Sequence, residues 1–237
     1  MKQKNLIVAS TSTVYNQGYL EYLLPELEEH FKGVEEILFI PYARPGGITH
    51  QEYTDKVAGA FVKINKKIVG LHSFENPVEA IRQAKGIFTG GGNTFVLVDM
   101  LYRTEVIYEL EKVLRQGVPY LGTSAGSNIT GLTIQTTNDM PIVYPPSFKT
   151  MGLVPFNINP HYLDPDANST HMGETRETRI GEFHKINNQP VLGLREGSWL
   201  DVKGDKIILK GSLTARWFTT GNEPIELESG TDLNKLL

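Results

Sequence analysis

Val118-Pro-Tyr-Leu-Gly-Thr-Ser-Ala-Gly126 decides the fold. Residues 118–121 read as a short strand despite Pro119, and they run straight into Gly122-Thr123-Ser124-Ala125-Gly126. That is the Gly-x-Ser-x-Gly spacing of a nucleophile elbow: strand, sharp strained turn, helix, with small residues on both sides so that a hydroxyl stands clear of the sheet. Such turns sit at the carboxyl ends of parallel strands, where open α/β sheets gather their ligands.

Working outward, residues 105–116 precede this strand with Val106, Leu110, Val113 and Leu114 on one helical face, and Gly117 stands where a C-terminal cap belongs. Further upstream, strand-like runs at 6–9, 37–40, 67–71 and 86–89 alternate with helical stretches at 19–31, 53–64 and 77–84. Alternation of this kind is the sequence form of βαβ units. Downstream of about residue 190 the pattern turns to hairpins, with alternation on both sides of Gly204-Asp205 in residues 201–209. No composition shift, repeat or linker interrupts the chain, so a single α/β domain over residues 1–237 is expected.

Composition narrows the function classes. Of 237 residues, 40% are apolar and 21% charged, the profile of a packed domain. The net charge of -4 is scattered, without a basic run, so nucleic acid is not an expected partner. Zero cysteines remove disulfides, cysteine zinc sites and a thiol nucleophile. Without a His-x-x-x-His pair, neither metal nor cofactor is expected. The opening Met-Lys-Gln-Lys-Asn leads into an apolar stretch too short for a signal core, and no run approaches a membrane span. A cytoplasmic protein without a membrane partner is the expectation.

A second glycine motif, Thr89-Gly90-Gly91-Gly92-Asn93, lies between the 86–89 strand and the next helix. Consecutive glycines let backbone N–H groups point into one space. The motif reads either as an oxyanion pocket or as a plain tight turn; it is not a Walker loop, since no Gly-Lys-Ser/Thr follows. If Ser124 is a nucleophile, the Ala125 N–H and a donor from Gly91 or Gly92 are placed to hold the oxyanion.

A serine nucleophile needs a base and a group to orient that base. His30, His50, His72 and His184 sit in or beside helices and crossovers, where histidine is most often structural. His161 follows an apolar run in Asn159-Pro160-His161, at a strand end, and is the favoured base; His171, in a polar loop, is its rival. For the acid, Glu196 follows the strand-like 191–194, and Asp164 competes by its nearness to His161. The order Ser, His, Glu differs from the Ser, acid, His order of α/β-hydrolases and points to another α/β family.

Six motifs, taken together and in order, carry a resemblance: Phe88-Thr-Gly-Gly-Gly-Asn-Thr-Phe95, Gly122-Thr-Ser-Ala-Gly-Ser-Asn128, Thr136-Thr-Asn-Asp-Met-Pro-Ile142, Ile158-Asn-Pro-His161, Gly173-Glu-Thr-Arg-Glu177 and Leu194-Arg-Glu-Gly197. The chain resembles the peptidase E family over its middle half, with a weaker likeness at Phe39-Ile-Pro-Tyr-Ala43. The resemblance implies a flavodoxin-like fold, a mostly parallel sheet with helices on both faces, related to class I glutamine amidotransferase folds. It also implies a Ser124, His161, Glu196 triad and hydrolysis of small peptides with an N-terminal aspartate through an acyl-enzyme. A related reading is a cyanophycinase-like β-aspartyl peptidase; a reading from another class is a non-catalytic module whose glycine loops hold an anion. The oligomeric state is open, a homodimer included.

An aspartyl substrate requires a local cation. Arg176 and Arg179 are the candidates, although alternating Glu and Arg at this spacing usually makes a solvated helix face. Asn93, Ser127 and Asn128 lie beside the two oxyanion elements as further substrate contacts, and Asp139 is the candidate partner for the substrate ammonium.

Overall fold

A computed structural model of the chain describes residues 3–165, 168, 170 and 172–237. Within these residues, the strands in chain order are β1 (Asn5–Ala9), β2 (Glu36–Ile40), β3 (Lys67–Gly70), β4 (Ile87–Thr89), β5 (Tyr120–Thr123), β6 (Asn157–Pro160), β7 (Val191–Leu194), β8 (Ser198–Lys203), β9 (Lys206–Gly211), β10 (Ala215–Phe218) and β11 (Ile225–Leu227). The helices are α1 (Leu24–His30), α2 (His50–Phe61), α3 (Pro77–Gln83), α4 (Thr94–Arg103), α5 (Val106–Arg115), α6 (Ala125–Asn128) and α7 (Arg176–Phe183).

The main sheet runs β3-β2-β4-β5-β1-β8-β9. Its first five strands are parallel, and the expected hairpin of residues 201–209 adds β8 antiparallel to β1 and β9 antiparallel to β8. Counted from β2, the order is the 2-1-3-4 of flavodoxin-like sheets. The fifth place is taken by the N-terminal strand. A second sheet, β11-β10-β7-β6, takes the strand expected at 191–194 as β7 and the end of the 153–158 apolar run as β6. That these strands leave the main sheet is not written in either of them, since their pairing joins segments distant in the chain.

Side chains alternate across the main sheet as the pleat requires. Leu6, Val8, Leu38, Ile40, Ile87 and Tyr120 join one buried cluster with α3, α4, α5 and the second sheet. The intervening Ile7, Ala9, Ile37, Phe39, Phe88 and Leu121 join another with α1 and α2. Cover on both faces explains why these strands are continuously apolar.

Several boundaries differ from expectation for identifiable reasons. Residues 19–31 form a short 3-10 turn, Glu21–Leu23, and then α1, because Pro25 at the helix start offers no N–H to a preceding turn. Helix α2 begins at His50 rather than Tyr53, fixed by a capping box in which Thr49 and Glu52 bond reciprocally. Strand β5 starts after Pro119, whose carbonyl accepts from Ile87 N–H at 2.9 Å. The apolar residues Leu153 and Val154 belong to a buried loop, their N–H groups both donating to Thr130 O at 2.8 and 3.1 Å. No helix among the described residues is long and apolar enough to cross a membrane.

His30 ends α1 inside the core, 7% exposed, with Nε2 3.1 Å from Tyr120 O and Nδ1 without a partner. Burial, reinforced by the charge of Lys203, lowers its pKa from 6.5 to about 3. The unfolded chain therefore binds the extra proton first, and His30 stabilises the fold fully above pH 6.5, losing that contribution as pH falls toward about 3. His30→Gln keeps a donor for Tyr120 O without the titration. Urea unfolding at pH 7 and pH 4 is expected to show the wild type losing on the order of a few kcal/mol more than the variant; equal losses would assign the acid sensitivity to other groups.

Candidate active site

The site lies where the carboxyl ends of β1, β4 and β5 meet those of β6 and β7. Ser124 caps β5 at φ 54 and ψ -111, a conformation that L-residues avoid and that costs about 1–3 kcal/mol. The flanking glycines make it possible: a Cβ on Gly122 would run into Gly126 O, and one on Gly126 into Thr89 O. Ser124 N–H donates to Ala9 O at 3.1 Å, and its carbonyl receives the N–H groups of Ser127 and Asn128 as α6 begins.

The glycine loop after β4 packs against this turn. A Cβ on Gly91 would sit 2.9 Å from Ser124 Cβ, and one on Gly92 would strike Ala43 O. Tyr53 holds the loop from below, its hydroxyl donating to Gly91 O at 3.1 Å. The N–H groups of Gly91, Gly92 and Ala125 make no hydrogen bond among the described residues. Buried N–H groups rarely stay unpaired, so unpaired donors beside a nucleophile suit an anionic oxygen.

His161 and Glu196 come from the second sheet. His161 follows Pro160 at the end of β6 with φ 53, and Glu196 lies two residues beyond β7. The resulting chain is direct: Ser124 Oγ lies 2.9 Å from His161 Nε2, and His161 Nδ1 lies 2.6 Å from Glu196 Oε1. The arrangement assigns the Nδ1 proton to a bond with the carboxylate and leaves Nε2 to accept from the hydroxyl. The two side chains are 35% and 47% exposed, which keeps the site open to a substrate.

The rivals are placed as well. Asp164 pairs with Arg195, through Nε at 2.8 Å and Nη2 at 2.7 Å, rather than with His161, and that pairing holds the Asp164 carboxyl below its usual range. Arg195 also bonds Thr214 and Glu226, so it is committed to the frame. The Asp164 to Arg195 pair spans the same two segments as His161 to Glu196 and fixes their spacing. His171 lies outside the described residues.

The polar substrate candidates divide. Asn93 is the N-cap of α4: its Oδ1 accepts from Val96 N–H and its Nδ2 donates to Met140 O. Ser127 donates to Ala9 O and Gly122 O and is occupied within the frame, whereas buried Asn128 donates through Nδ2 to Thr94 and Thr137 and leaves Oδ1 without a partner among the described residues. Asp139 Oδ2 accepts from Thr94 N–H and from the hydroxyls of Thr94 and Thr137, and Oδ1 makes no hydrogen bond among the described residues. Arg179 is exposed and weakly paired with Glu174 at 3.7 Å, the solvated-face reading.

Arg176 stands apart. At the first turn of α7 it borders a cavity of about 60 Å³ with Thr137, Asn138 and Asn159, and its buried Nε has no partner among the described residues. Burial, then the charge of Arg179, lowers its pKa, while Asp139 pulls the other way. A buried guanidinium N–H without an acceptor calls for one. Ser10, Asn138 and Asn159 escaped the sequence reading although they occupy the same neighbourhood: Asn138 Nδ2 donates to Pro160 O at 2.7 Å and Asn159 Nδ2 donates to Asn138 Oδ1 at 2.8 Å. Their signal was position, since Ser10 directly follows β1 and Asn159 lies within β6, beside the His161 it delivers.

The chain is 48% identical over 233 residues to peptidase E of Streptomyces coelicolor, covering 98% of this chain and 95% of that protein. It is 46% identical over 237 residues to a Drosophila melanogaster protein named "Probable alpha-aspartyl dipeptidase", covering 99% and 98%. A crystal structure of a peptidase from an acI-B1 actinobacterium has the same fold, with TM-score 0.69 at 15% identity over 97% of this chain and 96% of that one. The model of peptidase family S51 matches residues 6–210, from β1 through both glycine motifs to the strands that follow the acid, and the chain belongs to that family.

Proposed function

We propose that the chain is a serine dipeptidase that removes N-terminal aspartate from small Asp-X peptides. The observation that carries this reading is the unbroken chain from Ser124 Oγ through His161 to Glu196 Oε1, at 2.9 and 2.6 Å, set beside unpaired backbone donors. In the first half-reaction Ser124 Oγ attacks the carbonyl carbon of the aspartyl residue while its proton passes to His161 Nε2. The N–H groups of Ala125 and of Gly91 or Gly92 hold the tetrahedral oxyanion. Nε2 then protonates the leaving amine, the C–N bond breaks, and an aspartyl ester remains on Ser124. Water, losing a proton to the same Nε2, attacks the ester and restores the serine. Glu196 accepts from Nδ1–H throughout and stabilises the imidazolium.

The substrate class rests on the name of the Drosophila relative together with Arg176. The cavity of about 60 Å³ beside that guanidinium has the volume of about two waters, which suits a carboxylate. Asp139 Oδ1 is left for the substrate ammonium. A cysteine-free chain with small peptides as its partners fits a cytoplasmic setting.

Ser124→Ala is expected to lower kcat on Asp-Leu by on the order of 10⁶, and His161→Ala about as much, since the triad acts as a unit. Glu196→Gln costs less than either. Steady-state kinetics check this; a tenth of wild-type rate in Ser124→Ala would sink the nucleophile assignment.

Gly91→Ala sets a Cβ 2.9 Å from Ser124 Cβ and so forces the glycine loop and the Ser124 turn apart. Its kcat is expected to fall by about 10² to 10³, the loss of an oxyanion donor, with far-UV circular dichroism unchanged. A rate equal to the wild type would remove the loop from the reaction.

Arg176→Ala should reduce kcat/KM for Asp-X by roughly 30-fold to several thousand-fold, the loss of one partner in a desolvated charge pair. Labelling by a small serine-directed reagent should barely change. Asn-X is a poor wild-type substrate, because its NH₂ faces guanidinium donors, and the variant discriminates less between Asp-X and Asn-X. Preference for β-Asp-Arg over Asp-Leu in the wild type would instead favour the β-aspartyl reading.

A further inference from the structure

Strand β1 ends at Ala9, and Ala9 and Ser10 bond to the backbone of Ser124, of His161 and of Leu194, two residues before Glu196. Ala9 O accepts from Ser124 N–H at 3.1 Å and from Ser127 Oγ at 2.6 Å. Ser10, fully buried, donates its N–H to Ser198 O at 3.1 Å. Its hydroxyl donates to Leu194 O at 2.7 Å and accepts from His161 N–H at 2.9 Å. Leu194 is the last residue of β7, two before Glu196. The serine and its oxyanion donors belong to the main sheet; the base and the acid belong to the second. One hydroxyl therefore ties the backbone of the base, and of the strand leading to the acid, to the strand that anchors the nucleophile.

We propose that Ser10 is a positioning residue, whose hydroxyl sets the separation of His161 Nε2 from Ser124 Oγ by bridging the two sheets. The inference rests on the triad reading given above. Serine suits the task because one hydroxyl both donates and accepts. His161 needs such a partner more than most residues: its left-handed backbone is uncommon outside glycine, and its N–H makes no other bond among the described residues. Remove the hydroxyl and the His161 N–H is orphaned inside the protein, a state that native structures avoid. Leu194 O keeps the Tyr162 N–H at 3.1 Å, so β6 and β7 stay paired with each other. What loosens is their register against β1. A shift of about 1 Å between base and nucleophile is enough for a loss of about 10² in rate.

A purely structural role predicts something different: lower thermal stability with unchanged turnover in the folded enzyme. The test uses Ser10→Ala and Ser10→Cys, the latter keeping most of the volume while offering only a weak donor and acceptor. Both are expected to lower kcat on Asp-Leu by about 10-fold to 10²-fold, with KM within about twofold, at a temperature where circular dichroism shows each variant folded. Amide exchange at His161 should accelerate in both. In a His161→Ala background, Ser10→Ala should cost nothing further in the residual hydrolysis of an activated aspartyl ester, because a residue acting through His161 has no route left. Wild-type kcat in folded Ser10→Cys, a loss confined to KM, or a full additive loss in the His161→Ala background would each overturn the proposal. Ser10→Cys and the double variant carry the test if Ser10→Ala does not fold. Failure of the triad itself would show separately, as activity surviving Ser124→Ala or His161→Ala.

Discussion

The site depends on backbone packed closer than side chains permit. Ser124 holds φ 54 and ψ -111 only because Gly122 and Gly126 let β5, α6 and Thr89 O approach without a Cβ between them. Gly91 and Gly92 extend the same closeness to the next strand, so the glycine loop lies against Ser124. Strain of about 1–3 kcal/mol persists at such a residue only where its surroundings over-determine it. Here the constraint is shared among three hydrogen bonds to Ser124 backbone atoms, the buried Tyr53 under the loop, and apolar strands covered on both faces.

From that fixed point the remaining machinery is delivered by a separate layer. The second sheet is small, but its β6 and β7 lie parallel and in register, so that Pro160 pairs with Leu194 and the residues just beyond them, His161 and Glu196, emerge side by side. The Asp164 to Arg195 pair repeats the linkage a few residues on, with Arg195 over the Tyr162 ring at 5.5 Å. The frame around the triad is thus charged and polar where the frame around Ser124 is glycine and apolar. This division suits the chemistry: the nucleophile turn must not move, whereas the imidazole must gain and lose a proton beside a carboxylate that remains partly in water.

Specificity reads from the same logic of satisfied and unsatisfied groups. Among the arginines near the site, Arg195 and Arg216 are paired with carboxylates inside the frame, and Arg179 meets Glu174 in solvent. Arg176 is half-buried, and its Nε has no partner among the described residues. Asp139, whose charge acts on Arg176, has one oxygen bonded to the first turn of α4 and the other without a bond among the described residues.

The sequence by itself determined the parts whose rules are local. Alternating strands and helices, the hairpin at Gly204, the glycine loop, the elbow at Ser124 and the strand-end positions of His161 and Glu196 were all legible, because each is written in a few consecutive residues. The capping box at Thr49 and Glu52 was equally local and went unread, which displaced the start of α2. Only the tertiary structure decided what depends on distant segments meeting. It separated Glu196 from Asp164, retired Asn93 to a helix cap, distinguished Arg176 from Arg179, and disclosed both the second sheet and Ser10. A hydrogen bond between Ser10 and His161 joins residues 151 positions apart, and no pattern in the neighbourhood of either one encodes it. Propensity, spacing and turn chemistry act over a handful of residues, whereas the pairing of a polar group is settled by whichever partner the folded chain brings within about 3 Å.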